Sequence, residues 1–162
     1  ADRFELTSTL SILPEYLRNR ASDTGEVIDY RDWQIPLGRR FRALKLWFVL
    51  RHYGINGLQF HIRQHIEWAR NLAQKINEHP SFKLLVPQKL NLLCFAHQQG
   101  DEFNQVLLEK INKSGKLFVT HTTIAGQYAI RFCIGQTHTR WHHVQTVWDT
   151  ICRLARNLEG MD

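Results

Sequence analysis

A lone phenol on a polar, turn-rich stretch is the first group in this chain whose setting suggests chemistry. Tyr16 lies between Ile12 and Leu17, and Asn19, Ser22, Asp23, Thr24 and Gly25 follow it. Pro14 restricts the residue before it, so residues 12–26 read as a mobile loop. Such a phenol can ride a closing lid or simply pack the loop down. Downstream, Pro36 and Gly38 make a turn that enters the basic run Arg39, Arg40, Arg42 and Lys45, with Arg31 and Trp33 just before it. His61 and His65, and again His138 and His142, stand four apart, a spacing that puts both rings on one helix face. Neither pair has the acidic or cysteine ligands that a metal site needs, so no metal is expected. The chain also lacks a glycine-rich phosphate loop with its lysine, a nucleophile elbow and a Cys/His zinc set.

The elements that would position these groups follow from periodicity. Leu44, Leu46, Trp47, Phe48, Val49 and Leu50 form a helix apolar almost all round, which predicts cover on several sides by more protein. A second helix runs from near Asn56 to before Pro80, with Leu58, Ile62, Ile66, Ala69 and Ile76 as its buried stripe. Short strands are expected at Phe82–Val86, Leu92–His97, Leu117–Thr122 and Tyr128–Ile134, the last two joined through Ala125 and Gly126. Between the pairs, Asp101 is placed to cap a helix carrying Phe103, Val106, Leu107 and Ile111 and ending at Gly115. A last helix starts near Thr137 or Thr139, with Trp141, Val144, Val147, Trp148, Ile151, Leu154 and Leu158 as its seam. Residues 81–162 thus read as a small α+β layer.

Composition bounds the rest. The 162 residues hold one ordinary domain or a piece of a larger one, and 43% hydrophobic content with five Trp argues against disorder. Three cysteines, at 94, 133 and 152, look buried and suit a reducing, cytoplasmic setting. The opening residues lack the apolar core of a signal peptide, and no apolar run is long enough to span a membrane. A net charge of +6 admits a nucleic-acid-binding reading, but the basic residues adjoin an apolar helix instead of forming a solvated stripe.

Several segments together carry a resemblance. YLRN at 16–19, DYRDWQIPLGRRFRALKLWFVLRHYG at 29–54, IRQH at 62–65, LLCF at 92–95 and AIRFCIG at 129–135 resemble the C-terminal part of the aromatic L-amino acid decarboxylases. These are the pyridoxal-phosphate-dependent group II decarboxylases, and the similarity runs in order from about Pro14 to Leu154. The resemblance implies the C-terminal small domain of a fold-type I pyridoxal-phosphate enzyme, an antiparallel-type sheet of about four strands packed with helices. It implies three regions: 1–38 after a missing cofactor-binding large domain, 39–80 as interface and linking helices, and 81–162 as the small domain.

Roles are implied residue by residue. Tyr16 matches the family's catalytic-loop tyrosine, which protonates the substrate α-carbon after carbon dioxide leaves; relatives with Phe there make aldehydes by oxidative deamination. Gly38 matches a glycine that approaches the cofactor phosphate or substrate ring across a dimer interface, although the turn after Pro36 also accounts for it. Arg31, Arg39, Arg40 and Trp33 match positions that support the loop and interface, chiefly as structural ion-pair and packing residues. The Schiff-base lysine, in an Asn-x-His-Lys-type motif of the family, does not occur here, so the chain by itself is expected to be inactive. The expected partners are the missing large domain, a second subunit sharing both active sites and an aromatic amino acid of the tryptophan, 5-hydroxytryptophan, DOPA or tyrosine type; neither nucleic acid nor membrane is expected. A freestanding interaction or regulatory module derived from the enzyme is the alternative.

Overall fold

The computed structural model describes residues 2–11, 30–33 and 42–160. The chain divides into two compact units, Ala1–Gly54 and Ile55–Asp162. The first contains α1 (Arg3–Leu10), a 3-10 turn at Tyr30–Trp33 that α1 contacts, and the start of a long helical run. That run, α2 (Arg42–Glu78), is interrupted at Gly54, whose φ of 62° and ψ of 176° are not helical. It is therefore two helices, 42–53 and 55–78, as the apolar pattern and the stripe after it predict. Helix 42–53 keeps its apolar residues in the open: Leu46, Trp47 and Phe48 are each more than half exposed.

The second unit is built on a four-stranded antiparallel sheet in the order β1-β2-β4-β3, with β1 Phe82–Leu84, β2 Leu92–His97, β3 Thr120–Ile124 and β4 Gln127–Cys133. Phe95 opposes Ile130 and Leu93 opposes Phe132, so one face of the two inner strands presents large apolar groups. Against them pack Leu72 and Ile76 of helix 55–78, Leu107 and Ile111 of α3 (Asp101–Lys113), and Val144, Trp148 and Ile151 of α4 (Trp141–Glu159). Burying side chains of this size is worth roughly 1.5–3 kcal/mol each, which is what holds three helices to the sheet. The unit is α+β, and its antiparallel sheet agrees with the expectation from the sequence.

The ends of elements differ from the sequence reading, in most cases through an identifiable hydrogen bond. Asp101 is the first residue of α3, not its cap: Gly100, at φ 94°, holds the cap position, and Asp101 Oδ1 accepts the Tyr128 N–H across 3.0 Å. Strand β3 begins at Thr120 because Asn112 claims the residue before it, donating to the Val119 carbonyl and accepting its N–H at 2.9 and 2.8 Å. Helix α4 begins at Trp141, since Gln136 takes φ 68° and its carbonyl accepts the Thr139 N–H in a tight turn. There the Arg140 N–H donates to His143 Nδ1 at 3.0 Å, closing the first turn. Strand β1 stops at Leu84, although Leu85 still donates to the Cys94 carbonyl. Cys94 and Cys152 are buried, but Cys133, at the end of β4, is exposed.

Candidate functional site

Of the residues to which the resemblance assigns roles, Trp33 is the one whose side chain the structure describes. It lies in the 3-10 turn, 39% exposed, its ring 5.4 Å from that of Tyr30. Arg31 belongs to the same turn by its backbone. Tyr16, Gly38, Arg39 and Arg40 lie outside the described residues. What the structure adds later in the chain is the open apolar surface of helix 42–53. On it Trp47 and Phe48 meet edge to face at 5.2 Å, and the Arg51 guanidinium sits 5.8 Å from the Trp47 ring centre. A cation over an indole is favourable even in solvent, so Arg51 shields part of this surface while keeping its charge.

His61 and His65 have ring centres 6.4 Å apart, and His65 Nε2 lies 3.1 Å from the Gln136 carbonyl, to which it donates. Burial holds the His65 pKa below the usual imidazole value against that carbonyl's opposing pull. Among the described residues no three His, Cys, Asp or Glu side chains gather in a way that could hold a metal ion.

A polar centre that periodicity does not reveal lies where β2 meets α3. His97 is 2% exposed; its ring stacks on Phe103 at 4.3 Å and meets Phe82 edge on at 4.8 Å. Asn104, also buried, accepts the His97 N–H at 2.7 Å and donates to the carbonyls of His97 and Gly100 at 2.9 and 2.6 Å. Glu159 Oε1 approaches His97 Nε2 to 3.0 Å, but off the line of a well-formed hydrogen bond, leaving that nitrogen only partly satisfied. The signal in sequence is Asn104 on the otherwise apolar side of α3, where a buried amide requires a polar partner.

With this geometry established, similarity to known proteins defines the class to which this α+β chain belongs. Residues 1–98 match the pyridoxal-dependent decarboxylase conserved domain. The chain belongs to that family. It is 46% identical over 91% of its length to tyrosine decarboxylase 2 of Narcissus pseudonarcissus, and 43% identical over 93% to phenylacetaldehyde synthase of Arabidopsis thaliana. The crystal structure of Oryza sativa TDC with PLP and tryptamine superposes with a TM-score of 0.68 at 39% identity, covering 97% of this chain and 34% of that one. The chain spans about a third of the length of these relatives, 31% of the Narcissus protein and 32% of the Arabidopsis one.

The described residues do not form a seat for pyridoxal phosphate. A Schiff-base lysine belongs in a closed pocket, whereas every lysine described is exposed except Lys110, which is half-buried on α3. No catalytic step is therefore assigned to the described residues through that cofactor.

Proposed function

We propose that the full-length protein is a pyridoxal-phosphate-dependent carboxy-lyase that converts an aromatic L-amino acid to the amine and carbon dioxide, and that this chain is its C-terminal part. The observation that carries the reading is the similarity to aromatic amino acid decarboxylases over nine-tenths of the chain. In it Tyr16 is the catalytic acid that delivers a proton to the substrate α-carbon, and Gly38 leaves room for the cofactor phosphate or the substrate ring. Arg31, Arg39, Arg40 and Trp33 support the loop and an interface with a second subunit. The cofactor lysine and most of the pocket come from the upstream domain, so residues 1–38 follow that domain, 39–80 link and 81–162 form the small domain. The exposed apolar helix 42–53 is the surface that such a homodimer would cover. Among the described residues no helix is long and apolar enough to cross a membrane, in keeping with a place in the cytoplasm.

A second reading, aldehyde synthesis by oxidative deamination, is favoured by the Arabidopsis relative. Tyr16 argues against it, because a phenol that quenches the carbanion leaves nothing for oxygen to trap.

The test is to supply the purified full-length protein, loaded with pyridoxal phosphate, with tryptophan, 5-hydroxytryptophan, DOPA and tyrosine, and to measure amine, aldehyde and carbon dioxide. Amine matching carbon dioxide mole for mole is the expected result. Aldehyde with hydrogen peroxide would move the assignment to the second reading. No turnover of any of the four would leave a regulatory module descended from the enzyme.

A further inference from the structure

The tautomer of His97 is fixed by what surrounds it. The Gln99 backbone N–H points to His97 Nδ1 at 3.4 Å, and a backbone N–H can only donate. Nδ1 must therefore offer its lone pair, and the single proton of the neutral ring sits on Nε2, facing the Glu159 carboxylate at 3.0 Å. A second proton would have to go onto Nδ1, where it would meet the Gln99 N–H donor to donor. The turn from β2 to α3, residues 98–100, cannot keep its present shape around a doubly protonated ring. Asn104 ties the same turn from the other side through the His97 and Gly100 backbone, so opening at Gln99 loads those bonds as well.

We propose that His97 is a proton-sensitive clasp: neutral, it holds the β2–α3 turn and the first turn of α3 closed, and doubly protonated, it releases them. The groups that face it act in both directions. Glu159 at the end of α4 favours the second proton; His79, at the end of helix 55–78, opposes it. Strand β1 offers the edge of Phe82, and α3 offers the face of Phe103 and the amide of Asn104, none of which carries charge. Burial outweighs the pull of Glu159 and keeps the ring neutral below the usual imidazole value.

The sign follows. Opened, His97 takes up its second proton near pH 6.5, while closed it does so only at lower pH. Closure is thus fully favoured above about pH 6.5 and weakens as pH falls from there to the closed-state pKa, by up to about tenfold per unit. Amide hydrogen exchange of the full-length protein, read by mass spectrometry near pH 7.5, 6.5 and 5.5 and corrected for the intrinsic rate, measures it. Peptides covering 97–104 should lose protection by up to about tenfold between the lower two values, with peptides from the middle of β4 unchanged. His97→Asn, whose amide oxygen can accept from Gln99 but cannot titrate, should abolish the pH dependence. Glu159→Gln should extend the decline to lower pH, and His79→Gln should leave it in place. Equal protection at all three pH values in the unsubstituted protein overturns the proposal, as does a pH dependence that survives in His97→Asn or disappears in His79→Gln.

Discussion

On the proposed function, Tyr16 is one hydroxyl away from a different reaction. In the proposed full-length enzyme, Tyr16→Phe removes the hydroxyl while keeping the ring, and a positioned acid is worth roughly 10²–10⁴-fold in such a step. Amine formation should fall within that range while aldehyde and hydrogen peroxide rise, as product analysis by chromatography would register. Undiminished amine would take Tyr16 out of proton delivery. Residues of this kind are legible only through resemblance: a tyrosine in a polar loop has no spacing that marks it, and its meaning comes from matched neighbours on both sides. The same holds for Gly38, for which a turn after Pro36 is the alternative account. His97 shows the opposite limit. Its partners Gln99, Asn104 and Glu159 come from a turn and two separate helices, so no linear pattern brings them together. Cys133, expected to be buried, is exposed at the end of β4, although Ala129 on the same face of the strand is buried. Cys152, deep in α4, has its thiol pushed up to about 11, chiefly by burial and secondarily by Asp149, and is therefore a poor nucleophile.

At the scale of elements, Gly54 decides the most with the least. Its φ of 62° and ψ of 176° suit glycine alone, and a Cβ placed there would touch nothing within 4 Å. Gly54→Ala therefore tests backbone conformation free of side-chain clash. If the break is kept, the substitution costs about 1–3 kcal/mol. Straightening into one helix recovers up to about 1 kcal/mol of helix propensity. Urea unfolding of the full-length protein should show the loss, and a neutral outcome would mean that the break does not depend on glycine. The interiors of elements read well where burial repeats: the seam of α4 packs in or against the core, and so do Ala69 and Ile76 of the stripe expected on helix 55–78, whereas Ile62 of that stripe is more than half exposed. Their ends read poorly, since Asp101, Asn112 and Gln136 each spend a polar group on a partner distant in sequence or on an unusual φ.

For the whole molecule, the open apolar surface is the dominant fact. Leu46, Trp47 and Phe48 of helix 42–53 are all more than half exposed, more than a chain in water leaves uncovered without a partner. Size-exclusion chromatography with light scattering should find this 162-residue chain associated, and Trp47→Glu with Phe48→Lys should shift it toward monomer. A monodisperse monomer at high concentration would contradict that. The need for cover is plain in the sequence, because a helix apolar all round has no wet side, whereas the occupant is named only by resemblance. The β3–β4 hairpin has a further consequence for how this unit comes into being. Thr123 pairs with Tyr128 and Ile124 with Gln127 around a two-residue loop whose members both take positive φ, Ala125 at 50° and Gly126 at 80°. That is the primed geometry matching the twist of the strands, and such hairpins close in about 1–10 μs. With so short a loop the hairpin is expected to form first, with β2 and β1 adding to it outward. Asn at 125 suits positive φ better than Ala: Ala125→Asn should stabilise by up to about 1 kcal/mol and speed refolding nearly in proportion. A gain that appeared only as slower unfolding would place the hairpin after the barrier instead of before it.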